Sequence, residues 1–354
     1  VIAGRYLTRL FLWRLAGVLL ALAALMQMLD LLDNASSVLM RGGGIAGVAR
    51  YAALRLPTLL GQLLPMATLV AAALTFMRLA ADLELTALRA VGVSTWRMLA
   101  ALLPACGLAA VVQFALLDQV APPTQRALVD WWAAHPAPGA PAEPERRLWL
   151  RARGDVVAVD RVSLDGRRLE GVALIRRDPE RLATARIDAA SATHAGGTWT
   201  LHEVRIAHAG SPVVEAVDAM PWPEGPSPRN MVELARPTET QPVARTLQVL
   251  RGEWASSRGT AHHATRLQAG FAGLLGPAIM LLLAAPAAFA LPRRGGGGLY
   301  AALGLVLGLG YLTVGGLTAA LGEAGLVSPV LAAWAPPLAF GCIGLMILLR
   351  LEEG

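Results

Sequence analysis

The side chains able to do chemistry in this chain are few and unusually chosen. All 31 basic residues are Arg, because the sequence contains no Lys. A Walker A phosphate loop, a Lys Schiff base and a Ser-Lys dyad are thereby excluded. Six imidazoles are present, at His135, His194, His202, His208, His262 and His263. No HExxH, Cys-His pair or GxSxG accompanies them, so they read as surface or structural groups rather than ligands. Cys106 and Cys342 lie inside apolar runs and read as buried thiols. The run Gly295 to Gly298 is not followed by Lys-Ser/Thr and reads as a flexible turn rather than a phosphate cradle. The chain is therefore expected to be no enzyme and to hold no metal or cofactor of its own.

Two small groups of charged residues remain. Asp30 and Asp33 lie one helical turn apart near Arg41, Arg50 and Arg55. Guanidinium forks match phosphate oxygens, so these Arg residues are candidates for holding phosphorylated groups, with ordinary interfacial anchoring as the alternative. Intramembrane hydrolysis would need two carboxylates at matched depth or a Ser-His pair, and no His falls in an apolar run. The second group is Asp82, Glu84 and Arg89, in a segment where Ala81, Leu85 and Leu88 recur at i, i+4 and i+7 and Gly92 follows as punctuation. Such a segment suits docking of a soluble partner; a solvated connector with an incidental Glu is the other reading.

The elements that must position these groups follow from charge distribution. Only 16% of the 354 residues are charged and 55% are hydrophobic, far from an ordinary soluble domain. Residues 119 to 266 carry 19 Arg and 17 acidic side chains, whereas the other 206 residues carry only 20 charges. Uncharged runs of 22 (56 to 77), 20 (98 to 117), 26 (267 to 292), 28 (295 to 322) and 26 (324 to 349) residues each meet the roughly 18 to 20 needed to cross a bilayer. A shorter run, 15 to 29, counts as a first span because Arg14 can snorkel and Leu31 and Leu32 extend it. A cleaved signal peptide is the competing reading of this end. Six spans with the N-terminus inside place nine Arg (Arg5, Arg9, Arg14, Arg78, Arg89, Arg97, Arg293, Arg294, Arg350) in the cytoplasm against Arg41, Arg50 and Arg55 opposite. Both termini are then cytoplasmic and the polar insert lies outside. The high pI reflects Arg at membrane surfaces, not a nucleic-acid partner.

From Arg147 the pattern changes to short alternating segments, Leu148 to Arg153, Asp155 to Val162, Val172 to Arg176 and Thr198 to Ile206, separated by Gly-Asp, Asp-Gly, Asp-Pro and Gly-Gly. Antiparallel strands in a sandwich or jelly roll follow. Ala137 to Pro144 and Pro221 to Pro228 read as loops, and Val243, Leu247 and Leu250 with Trp254 as an amphipathic helix. The predicted class is an α+β membrane protein: spans one to three in 1–118 with a coupling helix near 79–95, a linker, antiparallel β domain and connecting helix in 119–266, and spans four to six in 267–354. Pro57, Pro65, Pro104, Pro277, Pro286, Pro336 and Pro337 suggest kinks, and Gly304, Gly308, Gly310, Gly315 and Gly316 permit close packing of span five.

The stretch from Asp82 to Ser94 resembles the cytoplasmic coupling segment of the lipopolysaccharide-export permeases, the LptF/LptG family. Leu64-Pro65-Met66-Ala67, Val120-Ala121-Pro122, Leu148-Trp149 and Pro336-Pro337 resemble further family positions, in the same order. The resemblance implies an inner-membrane permease subunit of an ABC-type transporter, with its β domain a periplasmic jelly roll. It also implies a sister permease subunit (LptF-like), an ATPase dimer (LptB-like) that binds ATP-Mg, a single-span periplasmic protein (LptC-like) and a periplasmic bridge (LptA-like). Lipopolysaccharide would be the cargo. Glu84, flanked by Asp82, Leu85, Leu88, Arg89 and Gly92, would couple the ATPase to the spans. Leu29-Asp30-Leu31-Leu32-Asp33 looks closer to LptG, but Asp30 stands where some relatives place a basic residue. A non-transporting scaffold or sensor with a β receptor domain is the alternative reading.

Overall fold

The computed structural model describes residues 2–41, 43–84, 87, 90, 92, 94–135, 147–152, 155–178, 180, 182–289 and 297–353. The expected loop Ala137 to Pro144 and the first half of the Gly295 to Gly298 run lie outside them, while Gly297 and Gly298 begin a helix. The chain divides into two compact units, residues 1–131 with 264–354, and residues 132–263.

The first unit is helical because a backbone without water around it must satisfy its own hydrogen bonds. Its elements are α1 (Ile2–Met40), α2 (Gly44–Ala81), α3 (Thr95–Ala115), a π-helical turn (Leu116–Val120) and α4 (Ala121–Ala134, whose last residues enter the second unit). Six stretches are long and apolar enough to cross a membrane: Gly4–Met40, Gly44–Ala81, Thr95–Ala134, Thr260–Ala287, Ala301–Glu323 and Pro329–Leu351. At 39 and 38 residues, α1 and α2 each run about 57 Å, well beyond a hydrocarbon core of about 30 Å. α2 continues through Pro57 and Pro65. Leu7, Phe11 and Leu15 mark the narrow buried stripe of α1; they pack with Phe76, Met98 and Leu102 in the helical core. In span five, Gly304 and Gly308 meet Leu283 and Leu69 so closely that no side chain fits, whereas Gly315 and Gly316 face open space.

The second unit carries β1 (Leu148–Ala152), β2 (Asp155–Val162), β3 (Arg168–Arg177), β4 (Ala183–Ala195), β5 (Thr198–His208) and β6 (Val214–Trp222), then α5 (Pro228–Ala235) and α6 (Val243–Leu250). These strands form one antiparallel sheet in sequence order. β4 and β6 exceed the strands expected from sequence. The inward positions of β4 are Ala185, Ile187, Ala189 and Ala192, only one of them large, and β6 is exposed along nearly its whole length. Gly196 (φ 59°) and Gly197 (φ 86°) close the β4–β5 hairpin, the two-residue turn in which both positions need positive φ. Glu203 adopts φ 54° where the inward positions of β5 change from Trp199 and Leu201 to Val204, while the pairing register with β4 and β6 runs through unshifted. At the β2–β3 turn, the Ser163 hydroxyl (2.6 Å) and the Arg167 N–H (3.1 Å) donate to Asp165 and hold its carboxyl below the ordinary value.

Met231 of α5 and Ala255 close over Leu150, Val157, Leu174 and Leu201. The Asn230 amide brackets the Ala255 backbone, donating to its carbonyl (3.2 Å) and accepting from its N–H (3.1 Å). The Trp199 indole donates to the Pro226 carbonyl at 2.6 Å. The outer edge of β1 is paired at Arg151 with Ser256, through Arg151 N–H to Ser256 O (2.9 Å) and the return bond (3.3 Å). β6 pairs with β5 and, among the described residues, with no other strand.

Candidate functional site

α1 and α2 form an antiparallel hairpin, so residues equally far from the bend share a depth. Asp30 lies ten residues before the end of α1 and Arg55 eleven after the start of α2, about 15 Å along each helix axis. The Tyr51 hydroxyl donates to Asp30 Oδ2 at 2.8 Å, and Arg55 Nε lies 3.6 Å from Oδ1. The two charged side chains are 18% and 22% exposed, and Tyr51 is buried. In so enclosed a place each partner offsets part of the other's lost hydration.

Tyr51, Arg55 and Thr58 follow the i, i+4, i+7 spacing of one helix face. One step further along that polar stripe, the buried Gln125 amide of α4 donates to Thr58 Oγ1 at 3.1 Å. Nearby, Leu117 in the π-helical turn presses on Gly61, where an added Cβ would come within 2.7 Å. π-Helical turns interrupt α-helices most often where a function needs displaced backbone.

The sequence grouped Asp30, Asp33, Arg41, Arg50 and Arg55. Asp30 and Arg55 are brought together; Asp33 and Arg50 are exposed and take no part in that ion pair, and Arg41 is half-buried at the end of α1. Arg55 is thus not a bare cation at the mouth of a cavity, because a carboxylate already faces it. Tyr51 and Thr58 were missed. Their signal was a polar stripe at helical spacing through an apolar span.

The second group sits where α2 ends. Arg78 and Asp82 form an i, i+4 ion pair at 2.7 Å. Leu83 then takes φ 56°, a left-handed conformation that Gly usually fills, and its N–H bonds the Ala80 carbonyl (3.2 Å). This residue stops α2 and lets the chain restart as helix at Glu84, Ala87 and Ala90. Gly92, at φ 83°, supplies the next turn, and Ser94 caps α3 by accepting from the Arg97 N–H. Glu84 is half-buried, and the Tyr6 hydroxyl of α1 donates to its Oε1 at 3.4 Å. Leu85, Leu88 and Arg89 lie outside the described residues. Tyr6, seventy-eight positions away, carried no local sequence signal for this contact.

Three of the imidazoles make contacts within the β unit, while His135 and His208 are exposed. His202 bonds Thr193 (2.9 Å), His194 lies edge-on to Trp199, and buried His263 bonds Ser256 (2.6 Å). Among the described residues no group of three His, Cys, Asp or Glu side chains could hold a metal ion.

Over residues 5–350 the chain matches the family model described as lipopolysaccharide export system permease LptF/LptG. No curated protein matches.

Proposed function

Starting from a chain that belongs to the LptF/LptG family of lipopolysaccharide export permeases, we propose that it is one of two permease subunits that draw lipopolysaccharide from the inner membrane. In this reading a separate ATPase dimer binds ATP-Mg and supplies the energy. The observation that carries the reading is the uneven burial of the spans. In the most apolar window of the second span 61% of residues are buried, against 11% in the first and 11% in the fifth. Two spans that bury so little within their own chain are suited to face a sister subunit and, between the two, the acyl chains of a lipid. The open space beside half-buried Gly315 and exposed Gly316 of span five permits close approach on that face.

The polar parts divide the work. Acyl chains occupy an apolar cavity lined by spans one, two and five, and phosphates of the cargo meet Arg41, Arg50 and Arg55 at its periplasmic mouth. Arg50 is the exposed cation of the three and makes the first contact. Arg55 is held by Asp30 and Tyr51 and engages only a phosphate able to compete with that carboxylate. At the cytoplasmic end Glu84 pairs with a basic or hydrogen-bonding group on the ATPase, with Asp82, Leu85, Leu88, Arg89 and Gly92 shaping the docking segment. Tyr6 ties that segment to span one.

In this reading the β domain, with its six-stranded sheet, lies in the periplasm. Strand addition to the bridge uses β6, whose outer edge pairs with no strand among the described residues, whereas β1 is already paired at Ser256. A single-span LptC-like protein would complete the route to the LptA-like bridge.

The test is purification from native membranes in mild detergent, mass spectrometry of the accompanying chains and lipids, and an ATPase assay. A homologous permease, an ATPase and lipopolysaccharide are expected, with Glu84→Ala losing ATPase association. A chain isolated without an ATPase, or a Glu84→Ala variant that keeps both association and transport, overturns the reading.

A further inference from the structure

The N-terminal end of α1 carries two cations and a groove to which the transport reading gives no role. A groove of about 1130 Å³ is lined there by Arg5, Tyr6, Arg9, Leu10, Leu12 and Trp13, with Gly4, Thr8 and Ala101 at its base. Arg5 and Arg9 are one turn apart and exposed, and no carboxylate among the described residues pairs with either. Arg14, by contrast, is committed, donating to the Leu74 carbonyl at 2.9 Å. Trp13 is 80% exposed one turn beyond Arg9.

Below Trp13 the same face continues as Ala16, Gly17, Leu20 and Ala24, all exposed. A Cβ added at Gly17 would meet nothing within 4 Å, so the stripe is open as well as apolar. Eleven residues from Trp13 to Ala24 rise about 17 Å, close to the half-thickness of a hydrocarbon core of about 30 Å. Read along the helix, the face runs from two guanidiniums to an indole to one leaflet's depth of apolar surface. That order is the order of a lipid: phosphate, glycerol region, acyl chain.

We propose that this face of α1 is a binding site for an anionic glycerophospholipid, with Arg5 and Arg9 on its phosphate, Trp13 at the level of the glycerol ester groups and an acyl chain along Ala16 to Ala24. Charge decides against a protein helix as occupant. Two adjacent cations would leave such an interface with unbalanced charge, whereas a phosphodiester supplies the matching anion and bidentate acceptors. Trp at the headgroup boundary fits its amphipathic ring. The site is built onto the second group described above, since Tyr6 of the groove donates to Glu84.

The experiment uses the full chain with its co-purifying subunits in nanodiscs of phosphatidylcholine, titrated with spin-labelled or photoreactive phosphatidylglycerol. Phosphatidylglycerol is expected to associate in preference to phosphatidylcholine and to label residues within 4–24. Arg5→Gln with Arg9→Gln is expected to lower that preference by up to about 30-fold, near fivefold for each interfacial cation. Trp13→Ala, which leaves both charges, is expected to shift the labelling depth while keeping the headgroup preference. Equal association of the two lipids, an undiminished preference in the double variant, or labelling blocked by a protein chain on this face overturns the proposal. The readout involves neither ATP turnover nor lipopolysaccharide, so its failure is separate from any failure of the transport reading.

Discussion

Replacing Asp30 by Asn is the sharpest probe of how α1 and α2 are held. An amide keeps an acceptor for Tyr51 but removes the charge that faces Arg55, isolating the electrostatic part of the clasp. At 3.6 Å and an effective dielectric constant near 20, the direct attraction is about 4 to 5 kcal/mol. Desolvation of both groups offsets most of this. Since each side chain keeps about a fifth of its surface, the loss falls below the 3 to 5 kcal/mol of a fully buried pair, at about 2 kcal/mol. Tyr51→Phe removes only a hydrogen bond to a charged acceptor, about 1.5 kcal/mol, and Asp30→Ala removes both, about 3 kcal/mol. Arg55→Gln alone leaves Asp30 uncompensated, yet in combination with Asp30→Asn the two losses overlap, so the double variant is milder than the sum by about 1 kcal/mol or more. The assay is reversible unfolding in mixed micelles, following the helical signal across a denaturing-detergent titration for the four corners of the cycle. An Asp30→Asn variant within about 0.5 kcal/mol of the parent, or strictly additive single losses, would refute the clasp.

Neutralising Arg41, Arg50 and Arg55 together to Gln is expected to weaken crosslinking of lipopolysaccharide to spans one and two, with Arg50→Gln alone giving more of the loss than Arg55→Gln because Arg50 is exposed; unchanged crosslinking removes the phosphate role. Gly304→Leu forces a side chain against the Leu283 carbonyl, 2.6 Å from the added Cβ, and should destabilise the helical unit by about 1 to 3 kcal/mol in the same titration, while Gly315→Leu should leave stability unchanged and instead weaken pairing with a second permease subunit. Lys substitutions at Val214 and Val217 are expected to abolish crosslinking of the β6 edge to a periplasmic bridge and to leave the folded β unit intact, because both side chains are already exposed. Asn230→Ala leaves the Ala255 N–H and carbonyl without their described partners and should cost the β unit about 2 kcal/mol, read by thermal unfolding.

How much was legible in advance differs between the two units. Six spans could be counted because a bilayer imposes one coarse demand, a long run without charge, and the described helices meet it at the same places. The β segments were legible only where large apolar side chains alternate, as in β2 and β5. β4 turns mostly small residues inward, and β6 has almost no buried face, so neither carried the usual signal. In the charged groups, residue type suggested phosphate binding for Arg55, but a guanidinium's role depends on what faces it. Here a carboxylate from another helix does.

By itself, the sequence determined what no arrangement could alter: no Lys for a nucleotide site of its own, apolar runs of membrane length, a charged insert between them, and the ordered motifs of a permease family. Tertiary structure decided everything that depends on two helices meeting. The hairpin of α1 and α2 set Asp30 against Tyr51 and Arg55, the left-handed Leu83 returned the chain so that Glu84 meets Tyr6, and the order of the sheet left β6 at its edge while Ser256 paired with β1. Composition and spacing measure what each residue can do. Contacts between residues far apart in the chain determine which of those capacities is already spent.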